Sequence, residues 1–188
     1  MVKTSGRKFQ FGFESGQLFQ FGYVVENAAK GIADCSKLLG IATDSFIIQE
    51  NFVAPDGTYR GRQDNPTLTI AHAFTGHIYI ELIEQHTNTP SVYMEMIEKH
   101  GYGLHHFGLS IAPEDYDAVI NGYYLDGFED VFSDNLPSGA RIRYIAPIDA
   151  AAREKMRNSI GVSYLECVEI VSGEEDFFCE MKRLATAV

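Results

Sequence analysis

Gly103-Leu104-His105-His106-Phe107-Gly108-Leu109-Ser110-Ile111 sets a histidine pair at the start of an alternating apolar run. Such a run, with glycine before it, reads as a β-strand carrying a polar side chain at its mouth. Successive strand side chains point to opposite faces, so only one of the two histidines is expected to face a site. His106 is assigned to that face, and His105 is expected to be packed or exposed on the other. A similar pattern occurs earlier as Gln20-Phe21-Gly22-Tyr23-Val24-Val25, and superposing the two sets Gln20 on His106, an offset of 86 residues. The segments His77 to Glu84 and Val162 to Glu169 also match, with Glu81 on Glu166 at an offset of 85 residues. Two independent matches with nearly one period make the chain a repeat of two halves. Each half supplies one residue from an opening strand and one glutamate from a closing strand. A two-fold pairing of the halves would bring Gln20, Glu81, His106 and Glu166 together.

The length of 188 residues suits one ordinary domain, or two modules of about 80 to 90 residues sharing a core. A composition of 45% hydrophobic and 22% charged residues is that of a globular chain. The net charge of −11 argues against nucleic acid or an anionic membrane as a partner. Cys35, Cys167 and Cys179 have neither metal-type spacing nor the even count of a disulfide framework, which suits a reducing compartment. The first residues do not lead into an apolar signal region, and no apolar run nears the roughly 20 residues of a membrane span. A cytoplasmic protein is expected.

Read in order, the chain gives an amino-terminal arm over 1–16 and a module over 17–86. A linker helix over 90–101, a second module over 103–171 and a carboxy-terminal helix over 174–187 follow. Each module reads as β-α-β-β-β, so the fold class is α+β. Residues 147–161 form an insertion in the second module. In the last helix Phe177, Phe178, Met181 and Leu184 recur at helical spacing. The arm and this helix both carry apolar faces, from which a homodimer is expected. His72 and His77, flanking the Thr75-Gly76 hairpin, are expected to point outward.

The order of the two modules resembles the vicinal oxygen chelate superfamily, which includes glyoxalase I, methylmalonyl-CoA epimerase, extradiol dioxygenases and bleomycin-resistance proteins. The segment Glu98-Lys99-His100-Gly101-Tyr102-Gly103-Leu104-His105-His106 and the paired glutamate strands carry the resemblance. It covers about residues 17–171 and looks most like the glyoxalase and epimerase branch. It implies a cupped mixed sheet whose concave side holds one divalent metal ion, with Gln20, Glu81, His106 and Glu166 as ligands. Many members of the family have histidine where this chain has Gln20.

One imidazole, two carboxylates and an amide oxygen suit Zn²⁺, Ni²⁺, Co²⁺ or Mn²⁺, with one or two positions left for substrate or water oxygens. The expected activity is that of a metal-dependent lyase or isomerase acting on a small molecule. It moves a proton next to a polarised carbonyl through an enediolate, with Glu166 as base and Glu81 opposite it. Phe21, Tyr79 and Tyr164 are candidates to line the substrate pocket. Arg141 and Arg143, of like parity on one strand, are candidates to meet an anionic substrate. No residues assignable to an anchor for glutathione or coenzyme A stand out. A metal-free binding or resistance protein is the alternative. An extradiol dioxygenase ranks below both, since it needs two histidines and a carboxylate on one iron.

Overall fold

The computed structural model describes residues 2–63 and 65–186. Ala187, the last residue of the expected carboxy-terminal helix, and Met1 of the arm lie outside the described residues. The first half contains β1 (Gln17–Val24), α1 (Ala28–Leu39), β2 (Ile47–Phe52), β3 (Thr58–Tyr59), β4 (Leu68–Thr75) and β5 (Ile78–Gln85). A connecting helix, α2 (Val92–His100), leads to β6 (Gly103–Ile111), α3 (Pro113–Leu125), β7 (Phe128–Asn135) and β8 (Arg141–Pro147). The chain closes with α4 (Ala150–Ile160), β9 (Tyr164–Glu169) and α5 (Ser172–Thr186).

The strands form one curled mixed sheet in the order β2-β4-β5-β1-β6-β9-β8-β7-β3. Each opening strand runs parallel to the closing strand of its own half, β1 to β5 and β6 to β9. The halves meet where β1 and β6 pair antiparallel. The class is thus α+β with a cupped sheet, as the family resemblance implies. The two-residue strand β3 departs from a strict repeat, because it crosses from the first half to pair with β7 of the second.

The outer face of the sheet is covered by α1 and α3. Ile32 of α1 packs on Ala71, Ala73, Ile80 and Leu82, and Tyr116, Val119 and Ile120 of α3 pack on Ile145 and Cys167. These contacts follow from the amphipathic spacing of each helix. The start of α1 is fixed by Asn27, whose side-chain oxygen accepts from the Lys30 N–H at 2.9 Å, and its end by Gly40 at φ 72°. On the inner face Val92, Tyr93 and Met96 of α2 join Val24, Ile83, Tyr144 and Tyr164 in one cluster.

The arm and α5 cover each other. Phe9, Phe11 and Phe13 are buried against Phe19, Phe74, Phe178 and Met181, with the Phe11 and Phe178 rings 5.1 Å apart. Lys182 also donates to the Phe11 carbonyl at 2.6 Å. The apolar faces from which a dimer was expected are therefore satisfied within one chain, and they do not argue for a second subunit. The insertion over 147–161 contains α4, whose side chains are not buried. Its ends carry the signals: Asp149 accepts from the Ala152 N–H at 2.8 Å, and Gly161 takes up φ 81°. No helix among the described residues is long and apolar enough to cross a membrane.

Candidate metal centre and cavity

The floor of the cupped sheet is set by the pairing of β1 with β6. Gln20 lies opposite Gly108 and Gly22 opposite His106, a two-fold arrangement centred on the Phe21–Phe107 pair. Gly22 also aligns with Glu81 on β5, and Gly108 with Glu166 on β9. Each glycine makes room for a ligand of the other half. A Cβ on Gly22 would stand 1.8 Å from His106 Cε1, and one on Gly108 would stand 2.4 Å from Gln20 Oε1. The sequence repeat thus places its four polar residues on one buried floor.

His105 departs from the strand alternation expected of it. The register passes from Gly22 opposite His106 to Tyr23 opposite Leu104, so His105 is the extra residue of a β-bulge. The bulge turns both histidines inward, and both are fully buried. His105 Nε2 lies 3.2 Å from the Val92 carbonyl and its Nδ1 lies 2.9 Å from His106 Nδ1. A carbonyl can only accept, which puts the His105 proton on Nε2. Its Nδ1 then accepts from His106 Nδ1–H, and His106 Nε2 is the nitrogen left facing the floor. Burial and the neighbouring His106 hold His105 well below the ordinary histidine range, so it is neutral.

His106 Nε2 lies 3.2 Å from Glu166 Oε2, 3.4 Å from Glu81 Oε2 and 3.0 Å from Gln20 Nε2. Gln20 Nε2 donates to Glu81 Oε2 at 3.1 Å. A half-turn of its amide exchanges the donor for an oxygen, so Gln20 can serve a carboxylate or a cation. Burial opposes a proton on His106, yet the carboxylates of Glu166 and Glu81 outweigh it and push the imidazole up to about 9. Glu81 is raised by burial and by the charge of Glu166, against the pull of His106 and Gln20.

Ligand atoms of Glu81, His106 and Glu166 all lie within 4.8 Å of one another. Glu166 Oε2 is buried and, apart from its contact with His106 Nε2 at 3.2 Å, has no polar partner among the described residues. A buried carboxylate oxygen beside an imidazole and a second carboxylate is a donor set that could hold a divalent ion.

Above the floor lies a cavity of about 350 Å³. Of the residues proposed from sequence to line a substrate pocket, Tyr79 reaches this cavity. Phe21 faces the other side of the sheet, where its ring packs edge-on against Phe107 at 5.1 Å. Tyr164 stacks beside His105, ring centroids 4.9 Å apart, away from the cavity. Arg141 and Arg143 do share one face, but it is the outer one. Arg141 binds Glu169 at 2.8 Å and lies over the Tyr116 ring of α3, and Arg143 binds Asp130 at 2.6 Å. The alternate residues Ile142 and Tyr144 line the cavity instead. Parity sets which residues share a face, whereas the apolar neighbours decide which face turns inward.

His72, expected to point outward, is buried in the cavity wall. It pairs across the hairpin with Glu81, 3.8 Å from Nδ1 to Glu81 Oε1, and its Nδ1 also meets the Tyr79 hydroxyl. Counting outward from the Thr75–Ile78 pair at the turn predicts that position from sequence alone. Burial lowers His72 to about 3, so it is a neutral ring. The cavity is closed partly by Phe177 and Phe178 of α5, a role the helical pattern did not announce.

A family model of the glyoxalase/bleomycin resistance protein/dioxygenase superfamily matches residues 19–146. Among solved structures, methylmalonyl-CoA epimerase from Mycobacterium tuberculosis superposes with a TM-score of 0.54 at 19% identity. The match covers 92% of this chain and 95% of that one. A hypothetical protein from Bacillus halodurans C-125 gives a TM-score of 0.54 at 18% identity over 84% of this chain and 96% of its own. No curated protein sequence matches. The matched span takes in β1, the β1–β6 junction and most of the cupped sheet, and on it the chain belongs to the glyoxalase/bleomycin resistance protein/dioxygenase superfamily.

Proposed function

We propose that the protein is a lyase or isomerase, dependent on a divalent metal ion, that moves a proton on a carbon next to a carbonyl. The observation that carries this reading is the buried Glu81, His106 and Glu166 group on the cavity floor, whose ligand atoms lie within 4.8 Å of one another. These three side chains, with the Gln20 amide oxygen after a half-turn, would hold Zn²⁺, Ni²⁺, Co²⁺ or Mn²⁺. Such an ion supplies Lewis acidity toward a substrate carbonyl oxygen.

The remaining steps belong to the chain. The Val92–His105–His106 hydrogen-bond path fixes the His106 ring so that Nε2 points at the floor. Glu166 takes the proton from carbon on its carboxylate and returns it to carbon. Glu81, held by Gln20, keeps its orientation opposite Glu166.

Exchange of the proton next to the carbonyl with deuterated water tests this, using a panel of α-hydroxy ketones and acyl thioesters. Exchange should require added metal and should fall by more than about a hundredfold in Glu166→Gln, the scale of a lost general base. Metal-independent exchange that survives Glu166→Gln would refute it. A second reading, a metal-free binding protein, is favoured by one contact: the Gln20 amide already bridges Glu81 and His106. Metal content after mild dialysis separates the two.

A further inference from the structure

We propose that the cavity takes an uncharged, largely apolar carbonyl compound and discriminates against anionic ones. The proposal rests on the reading of the floor as a metal centre and names the ligand that the walls above it would accept.

Three observations carry it. First, no lysine or arginine among the described residues lines the cavity. Its charged groups are carboxylates, with Glu81 and Glu166 on the floor and Asp134 and Glu174 farther out. Two of these already have partners: Asp134 accepts from the Asp56 N–H at 2.9 Å and Glu174 from Ser138 at 2.6 Å. Second, Arg60, Arg141 and Arg143 are already paired elsewhere. Arg60 forks onto Glu95 at 2.8 and 3.0 Å and Arg141 onto Glu169, and Arg143 donates to Asp130 at 2.6 Å. Releasing one would strand a carboxylate. Third, the walls are hydrocarbon and aromatic, with Phe52, Leu68, Ile70, Phe132 and Ile142 among them.

An anionic ligand would therefore meet the Glu81 and Glu166 carboxylates in a largely apolar cavity, with no lysine or arginine in the wall to offset the lost hydration. A divalent ion does not reverse this, since its two charges are matched by Glu81 and Glu166. The space of about 350 Å³ is more than twice the ~150 Å³ that suffices for benzene in an apolar cavity. It holds one ring and a short chain with a carbonyl that reaches the floor. The class indicated is an uncharged aryl or branched alkyl carbonyl compound.

The test is a matched pair of probes, 2-hydroxyacetophenone and benzoylformate, which share the ring and ketone and differ in an uncharged or anionic second oxygen group. Each is titrated calorimetrically into metal-free and Zn²⁺-treated protein. The neutral probe should bind at least about tenfold more tightly in both states, as like-charge juxtaposition demands. Leu136→Lys, which places a cation at the cavity wall, should shift the ratio about tenfold toward benzoylformate. Equal or tighter binding of benzoylformate by the unaltered protein overturns the proposal, and so does failure of both probes at millimolar concentration. Loss of Zn²⁺ binding with the neutral preference intact would defeat the metal reading alone. Zn²⁺ binding with benzoylformate preferred would defeat this inference alone.

Discussion

The two halves of the sheet place equivalent residues at equivalent positions and then use them differently. In the first half Gln20 bonds to Glu81, and His72 stands beside that glutamate across the β4–β5 pair. In the second, His106 is held from behind by His105, and Tyr144 stands beside Glu166 across β8–β9. Glu81 Oε2 accepts from the Gln20 amide, whereas the contact of Glu166 Oε2 is the His106 imidazole at 3.2 Å. The two-fold backbone fixes where a side chain arrives, and its neighbours decide what it can do there. On this account the first half orients and the second half carries the chemistry.

The sharpest break in that comparison is made by the glycines. Gly22→Ala would drive a methyl into the His106 ring, which is fully buried and wedged against His105 and Tyr144. Gly108→Ala meets Gln20, whose amide end can swing aside although its Cβ, 2.7 Å away, cannot, a looser fit than the 1.8 to 2.4 Å contacts at Gly22. Gly22→Ala should lower unfolding free energy by about 3 kcal/mol and Gly108→Ala by about half that, the range of overpacking in a core. Urea denaturation measures both, and equal losses would deny the asymmetry.

The glutamates come next. Glu81→Gln and Glu166→Gln should each keep metal to within about tenfold, because an amide oxygen still coordinates, while only Glu166→Gln loses proton exchange. Loss in Glu81→Gln instead would move the base to the first half.

The pH dependence of the metal-free protein gives a smaller effect of defined sign. His106 sits at about 9 in the folded chain against 6.5 for an ordinary histidine. Its folded value is raised, so its contribution is complete below pH 6.5 and is lost as pH rises to about 9. The shift corresponds to roughly 3 kcal/mol at most. Glu81, also raised, acts in the same direction. The urea midpoint should fall across that window, and His106→Gln should flatten it.

Smallest of all, Arg141→Ala and Arg143→Ala should leave ligand and metal binding unchanged. Each should cost about 1 kcal/mol of stability, since both pairs are partly exposed on the outer face. A tenfold change in ligand affinity would return them to the site.

The sequence made the floor legible because four polar residues stand in strands that repeat with nearly one period, and a repeat implies a two-fold meeting. The bulge at His105 was hidden, since a two-against-one pairing is a property of register between distant strands and leaves no mark in the local alternation. The face of Arg141 and Arg143 was hidden for a related reason. Alternation is blind to which side of a sheet closes over a cavity. Helix α4 escaped notice because it buries none of its side chains, leaving its capping residues Asp149 and Gly161 as its signature.

The central claim is that a buried carboxylate pair and one imidazole hold a divalent ion, with His106 as the member that cannot be replaced. Zn²⁺ titration of metal-free protein, read by elemental analysis after mild dialysis, tests it most directly. The account predicts about one ion per chain for the unaltered protein. His106→Ala should weaken affinity by more than about a hundredfold, beyond the loss expected for an outer-shell partner. Retention of no Zn²⁺ by the unaltered protein, or the same stoichiometry and affinity in His106→Ala, would contradict it.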